Sequence, residues 1–117
     1  KFTESLVSII LCAVLFGGGL GCSQEKTTEE QLSYAQLLLQ KNKGEEAAIA
    51  LKNVLKTDSK NAEARFLLGK FYARQGDWLA AEKELLKSNE YGFDKNLVIP
   101  QLAKIYQKQK KNKEIER

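Results

Sequence analysis

Residues 68–72 read Leu68-Gly69-Lys70-Phe71-Tyr72, and residues 81–85 read Ala81-Glu82-Lys83-Glu84-Leu85; these two stretches decide the fold. Leu68 and Tyr72 are four residues apart and therefore share one face of a helix. Gly69 lies between them although glycine lowers helix stability by about 1 kcal/mol relative to alanine, and such a glycine usually marks close approach by another helix. Ala81 is the matching small residue on a second helix. The pattern predicts two antiparallel helices near the short end of the usual separation of roughly 8–10 Å.

The same arrangement of bulky and small residues recurs along the chain. Residues 28–61, 62–95 and 96–117 align without a gap, because Tyr34, Leu68 and Leu102 follow one another at one constant spacing. A fixed period of about 34 residues is typical of a protein built from stacked structural repeats. The positions predicted to hold the helices of each repeat together are Ala35, Leu68, Gly69, Tyr72, Ala81, Leu85, Leu102, Ala103 and Tyr106.

Turn residues divide the chain into helices of similar length. Helices are predicted over 28–41, 45–57, 62–75, 78–91 and 96–109, with a sixth starting near 112 after a break at Lys111-Asn112. Gly44, Gly76 and Gly92 are expected to end helices with positive φ, and Asp77 is a candidate N-cap. The sequence thus predicts an all-α fold.

The repeat resembles the tetratricopeptide repeat, whose pattern contains L-G-x-x-Y followed by A-x-x-x-F. Arg65 stands where that family has a large aromatic residue, and Phe93 stands where it has a closing proline. The resemblance implies an α-solenoid of antiparallel helical hairpins. Its repeats would be 28–61, 62–95 and an incomplete third repeat over 96–117.

The N-terminal region resembles a bacterial lipoprotein signal. An apolar run from Leu6 to Phe16 is too short for a membrane span of about 20 residues and is followed by small residues and Cys22. The resemblance implies a signal peptide helix over 1–21, a lipid on Cys22 and a polar tether over 22–27. Removal of Cys12 and acylation of Cys22 would leave no free thiol, which suits an oxidising compartment. The alternative is an uncleaved anchor helix beside an incidental thiol. Since position 1 is not Met, we expect a fragment of a longer protein.

The composition argues against several classes of function. The chain has no His, which removes the commonest general base and metal ligand, so we expect neither an enzyme nor a metal or cofactor site. The net charge is +4, but Lys and Arg alternate with Glu along the predicted helices, so no nucleic-acid partner is expected. A cluster of lysines at 108–113 is interpreted as a solvated helix end.

Membership in the repeat family would imply a concave surface lined by the first helix of each hairpin, which commonly holds an extended peptide or a partner helix. Positive charge on this surface would favour an acidic partner. The predicted partner-binding residues are Gln36, Gln40, Phe66, Lys70, Arg74, Lys104 and Lys108, with Phe66 as an apolar anchor.

A narrower resemblance rests on residues 61–70 and 76–85 behind the lipoprotein signal. These features resemble the N-terminal part of tetratricopeptide lipoproteins that accompany exosortase (PEP-CTERM) protein sorting and exopolysaccharide export. The resemblance implies an anchor in a bacterial envelope membrane facing the periplasm, and Ser23 after Cys22 slightly favours the outer membrane. Two alternatives remain: a lipoprotein of pilus or outer-membrane protein assembly, and the helical N-terminal domain of an enzyme whose catalytic part lies elsewhere.

Overall fold

The computed structural model describes residues 26–117, which form five α-helices and contain no strand. The helices are α1 (Thr28–Gln40), α2 (Gly44–Thr57), α3 (Ala62–Gln75), α4 (Trp78–Glu90) and α5 (Lys95–Ile115). The predicted all-α fold of helical hairpins is therefore confirmed. Within the described residues, no helix is both long enough and apolar enough to cross a membrane. The predicted signal peptide over 1–21, the lipid site at Cys22 and the tether up to residue 25 lie outside the described part of the chain.

Polar side chains fix the start of four helices. Thr27 and Glu30 form a capping box, in which each side chain accepts a hydrogen bond from the other residue's backbone N–H at 3.2 Å. Asn61 and Asp94 cap α3 and α5 by accepting a single hydrogen bond each, from the backbone N–H of Ala64 and of Asn96 at 2.9 Å. Asp77 accepts a bond from the Ala80 backbone N–H at 3.1 Å and caps α4, as the sequence predicted.

Two of the three glycines that were predicted to end helices with positive φ do so, and the third does not. Gly76 and Gly92 adopt φ values of +77° and +91°, which confirms their predicted role. Gly44 is instead the first residue of α2, and Asn42 adopts the left-handed conformation with φ of 60°. Asparagine tolerates this region better than other non-glycine residues, so the α1–α2 turn does not need its glycine for backbone freedom.

The last helix is longer than predicted. The expected break at Lys111-Asn112 is wrong, because α5 continues without interruption to Ile115 and no sixth helix starts within the described residues. Residues 104–115 contain neither Gly nor Pro, and most are good helix formers. Asn112 is a weak turn signal alone, and its carbonyl accepts a helical bond from the Glu116 N–H at 3.2 Å.

Apolar side chains form two adjacent clusters, each made where consecutive helices pack together. The first cluster joins α1, α2 and α3, and the second joins α3, α4 and α5. This stepwise packing is the mark of a solenoid, in which each helix is buried by its neighbours in the chain. The first contains Ala35, Ala48, Leu51, Val54, Ala64, Leu68 and Phe71; the second contains Phe66, Ala81, Leu85, Val98, Leu102 and Ile105.

The α3–α4 hairpin closes over its small residues. Gly69, Ala81 and Leu85 are all buried, and a Cβ placed on Gly69 would lie 2.8 Å from Cγ of Leu85 and 3.3 Å from the carbonyl oxygen of Ala81. Carbon atoms normally keep about 3.5–4.0 Å apart, so the two helices meet at a distance that only glycine permits here.

A nearly buried ion pair occupies the place of the family's large aromatic residue. The Arg65 guanidinium lies 2.7 Å from a carboxylate oxygen of Glu84 on α4, with the two side chains 13% and 10% exposed. Its other nitrogens donate to the Ser59 carbonyl at 2.9 and 3.2 Å. Arg65 therefore joins α3 to α4 and to the loop before α3, where an aromatic ring would join them by packing.

Candidate functional site

A groove of about 320 Å³ lies between α1 and α3, the first helices of two successive hairpins. Residues on these two helices form its entire lining, with no contribution from α2, α4 or α5. The lining residues are Gln36, Leu39, Gln40, Leu67, Lys70, Phe71 and Arg74. Four of the seven predicted partner-binding residues are thus brought together in one groove.

The repeat period explains why these four residues meet. Lys70 follows Gln36 by one repeat length, and Arg74 follows Gln40 by the same interval, so each pair holds equivalent positions on two parallel first helices. Within each helix the two residues are four apart and share one face. The groove therefore presents an amide wall on α1 and a cationic wall on α3.

The floor of the groove is apolar and was not predicted. Leu39 and Leu67 are half-buried in it, and Phe71 is buried beneath it. The sequence does contain a signal for this floor, because Leu67 and Phe71 are one turn apart and flank Lys70 on the same side of α3. The residues predicted for this surface are polar apart from Phe66, so the prediction lacked the floor that an apolar side chain would contact.

A hydrogen bond spans the two walls at one end of the groove. Nε2 of Gln36 donates to Oε1 of Glu63 at 2.6 Å, so this glutamine is held against the start of α3. The Glu63 carboxylate therefore has an uncharged amide as its hydrogen-bond partner. Glu63 is an acid beside the groove, while Lys70 and Arg74 are its two lining cations, so positive charge exceeds negative charge there.

The structure contradicts the exposed position that was predicted for Phe66. This residue is only 7% exposed, and its ring stacks on Phe93 with centroids 4.7 Å apart. Phe93 lies in the α4–α5 loop, so Phe66 fills the space between α3 and the next repeat. Its accessible side is covered by Lys70, whose Nζ lies 5.5 Å from the ring centroid. Phe66 is consequently a core residue and offers no anchor to a partner.

Lys104 and Lys108 are exposed on α5 and do not line the groove. They are repeat equivalents of Lys70 and Arg74, and the sequence alone predicted one continuous cationic wall. The structure separates them because the groove is formed by α1 and α3 only.

The structure also shows a polar link between α4 and α5. Nε2 of Gln109 donates to Oε2 of Glu82 at 2.9 Å. Partial burial, and then the adjacent Glu82 carboxylate, raise the pKa of the Tyr106 phenol above its usual value of 10.0. Tyr106 is therefore neutral at physiological pH. Across residues 26–117, no three His, Cys, Asp or Glu side chains are grouped closely enough to hold a metal ion.

Comparison with known proteins agrees with this geometry. The tetratricopeptide repeat family model matches residues 38–97, which is just over half of the chain and runs from the end of α1 to the start of α5. No curated protein matches the sequence. Tetratricopeptide repeats generally mediate protein–protein interactions and are typically scaffolds without catalytic activity. The repeat period, the helical hairpins and this match agree with one another. The chain therefore belongs to the tetratricopeptide repeat family.

Proposed function

We propose that this protein is a lipid-anchored scaffold of the bacterial cell envelope that holds an acidic, extended segment of a partner protein in the α1–α3 groove. The observation that carries the binding proposal is the pairing of an apolar floor with a cationic wall. Leu39, Leu67 and Phe71 form the floor, and Lys70 and Arg74 stand beside it.

The dimensions favour an extended peptide over a folded domain. A groove of about 320 Å³ has room for a few side chains, and it is open along its length between two helices. An apolar residue of the peptide contacts the floor, while an acidic residue beside it meets Lys70 or Arg74. Gln40 on the opposite wall supplies an amide, which hydrogen-bonds either a backbone N–H or a carbonyl.

The envelope location rests on the sequence of the N-terminal region. The apolar run, the small residues before Cys22 and the polar residues after it support lipidation of Cys22 and anchoring to a membrane that faces the periplasm. A tether over 22–27 reaches about 20 Å when extended. Helix α1 starts immediately after this tether, so the groove is held close to the membrane surface.

The partner class follows from the narrower resemblance. Residues 61–70 and 76–85 resemble lipoproteins of exosortase protein-sorting systems, and this likeness supports a role in protein sorting or exopolysaccharide export. In such a role the scaffold holds a segment of a sorted or exporting protein at the membrane. The alternative roles are in pilus assembly and in outer-membrane protein assembly. They imply a different partner protein but the same binding groove.

The binding proposal is tested by peptide selection. A library of random nonapeptides displayed on phage is selected against the purified chain and against the variant Lys70→Glu/Arg74→Glu. We expect peptides bound by the wild type to be enriched in Asp and Glu next to an apolar residue, and we expect the charge reversal to abolish that enrichment.

The matched control is Lys104→Glu/Lys108→Glu, which makes the same charge change at repeat-equivalent positions outside the groove. This variant is expected to select the same peptides as the wild type. Identical enrichment with all three proteins would show that the groove is not the binding surface. Cross-linking from the purified chain in envelope extracts then captures the partner protein, whose sequence should contain the preferred peptide pattern.

A further inference from the structure

Glu63 lies at the opposite end of the α1–α3 groove from Arg74. Residues 4, 7, 8 and 11 positions after Glu63 face the same side of a helix, and in α3 these are Leu67, Lys70, Phe71 and Arg74. The helical rise places Glu63 about 10 Å from Lys70 and about 16 Å from Arg74 along the helix axis. This side of α3 therefore begins with an acid, continues with apolar residues and ends with cations.

Gln36 on α1 holds the Glu63 carboxylate at the edge of the groove. Its Nε2 donates to Oε1 of Glu63 at 2.6 Å, and Gln36 itself lines the groove. Within residues 26–117, Oε2 of Glu63 accepts no hydrogen bond, and this oxygen is not fully buried. One oxygen of the carboxylate is thus positioned by the amide, and the other is available to a donor from outside.

The charges at the two ends of the groove are not neutralised within the described part of the chain. The two ion pairs among residues 26–117 join other side chains. Lys70 lies over the ring of Phe66 with Nζ 5.5 Å from the centroid, and this contact leaves its charge uncompensated. Glu63 and Arg74 do not pair with each other, because a separation of about 16 Å exceeds the screening length of about 8 Å at physiological ionic strength.

We propose that the groove selects a segment in which an apolar residue is flanked by a basic residue on one side and an acidic residue on the other. The basic residue contacts the free oxygen of Glu63, and the acidic residue meets Lys70 or Arg74 at the other end. The apolar residue between them lies on the floor of the groove. This inference rests on the groove binding proposed above and adds Glu63 as a second determinant of specificity.

The length of α3 between the charges sets the spacing of the charges in the partner. An extended chain advances about 3.3 Å per residue, so a distance of about 10–16 Å corresponds to about three to five residues. The expected pattern is therefore a basic and an acidic residue separated by this interval, with the apolar residue between them. The pattern applies in either chain direction, because the charges and their spacing are the same when the segment is reversed.

A segment with acids on both sides of the apolar residue fits less well. Its second acid would stand against Glu63, and repulsion between like charges opposes binding. The two cations still outnumber the single acid, so a segment of net negative charge remains favoured. Glu63 thus narrows the choice among acidic segments to those that carry a base at the correct interval.

Selection of the nonapeptide library against variants of Glu63 tests this inference. Peptides bound by the wild type are expected to carry Lys or Arg three to five positions from Asp or Glu, with an apolar residue between them. Glu63→Gln keeps an oxygen for the Gln36 amide and removes only the charge, so the basic enrichment should disappear while the acidic enrichment persists. Glu63→Lys should instead select peptides with acids on both sides of the apolar residue.

Affinity measurements with one synthetic peptide of the selected pattern quantify the contact. By fluorescence anisotropy, Glu63→Gln should bind this peptide about fivefold more weakly than the wild type, which is the size expected for one exposed ion pair. A second peptide carries norleucine in place of the basic residue. Glu63→Gln should not weaken binding of this second peptide, because the charge that it removes has no partner there.

Glu29→Lys is the matched control for Glu63→Lys. Glu29 precedes Glu63 by one repeat length, lies in the first turn of α1 and is not part of the groove lining. This variant should select the same peptides as the wild type. Circular dichroism verifies that each variant keeps its helix content.

The outcomes separate this inference from the groove binding on which it rests. Acidic enrichment without a basic residue in the wild type, or basic enrichment that Glu63→Lys leaves intact, would overturn the role of Glu63 while groove binding stands. Acidic enrichment that persists in Lys70→Glu/Arg74→Glu would contradict groove binding itself, and this inference with it.

Discussion

Gly69 and Leu85 are packed so closely that a single methyl group does not fit between them. A Cβ on Gly69 would lie 2.8 Å from Cγ and 3.1 Å from Cδ2 of Leu85, whose side chain is completely buried. Cγ is the branch point of the leucine, so rotation of the terminal methyl groups does not relieve the contact. The close packing of α3 on α4 therefore requires a glycine at position 69, although glycine lowers the helix propensity of α3.

The first prediction concerns this contact. Gly69→Ala should destabilise the protein by about 1–2 kcal/mol, since overpacking of roughly 1–3 kcal/mol exceeds the gain of up to about 1 kcal/mol in helix propensity. Gly69→Leu and Ala81→Leu should each cost about 3 kcal/mol or more for the same reason. Urea denaturation followed by circular dichroism measures these differences.

Gly44→Ala is the matched control for Gly69→Ala. A Cβ on Gly44 would lie 3.4 Å from Cε2 of Phe71, and Gly44 does not have a positive φ. Alanine there should be neutral or stabilise the protein by up to about 1 kcal/mol, because it restricts the unfolded chain. Equal stability of the two alanine variants would contradict the close packing of α3 on α4.

The second prediction concerns the pair formed by Arg65 and Glu84. Glu84→Ala should cost about 3 kcal/mol, since it leaves a guanidinium that is only 13% exposed without its carboxylate. Replacing both residues together, by Arg65→Met and Glu84→Leu, should restore most of the lost stability, because apolar side chains suit this position in the fold. Thermal unfolding of Arg65→Met, of Glu84→Leu and of the double variant measures the coupling. Additive losses would show that the two side chains act independently.

The third prediction concerns the two halves of α5. Val98, Leu102 and Ile105 are buried against α4, whereas every residue from Lys110 to Ile115 is exposed. We expect amide hydrogens of residues 110–115 to exchange fastest among the helical segments, and those of residues 98–105 to be protected. Hydrogen exchange followed by mass spectrometry measures the difference. Uniform protection along α5 would indicate that another molecule or segment covers its end, and repeating the measurement at lower concentration tests self-association.

The fourth prediction concerns the proposed anchor. Expressed with its secretion signal in a bacterial host, the mature protein should begin at Cys22 and carry at least two acyl chains, which is the minimum for stable membrane attachment. Mass spectrometry of the membrane fraction measures both properties. The variant Cys22→Ser should lose the lipid and the processing. If that variant remains in the membrane fraction uncleaved, and the wild type is also uncleaved, the apolar run is an ordinary anchor helix.

Local signals allowed much of the fold to be predicted. The α3–α4 hairpin follows from Gly69, Ala81 and Leu85, and its turn follows from Gly76 and the capping residue Asp77. Such signals act within about one helical turn of a residue, so they can be interpreted without knowledge of the rest of the chain. The predicted break at Lys111-Asn112 was wrong because polar residues do not end a helix when they have high helix propensity.

The candidate site was only half predictable. Gln36, Gln40, Lys70 and Arg74 were placed together because the repeat period relates them, and the structure brings them to one groove. Phe66 was misplaced because its burial depends on Phe93, which lies beyond α4 in the chain. No periodicity within α3 reveals that contact.

The sequence by itself determined the repeat class and the hairpin in which Gly69 and Ala81 bring two helices together. It also determined the repeat register, in which positions one repeat length apart are equivalent. Only the tertiary structure decided which equivalent positions are covered. Gly69 is buried and Ala103 is exposed, although the period assigns them the same role. The physical reason is that helix formation is governed by neighbours in sequence, whereas burial is governed by whether another helix packs against that face.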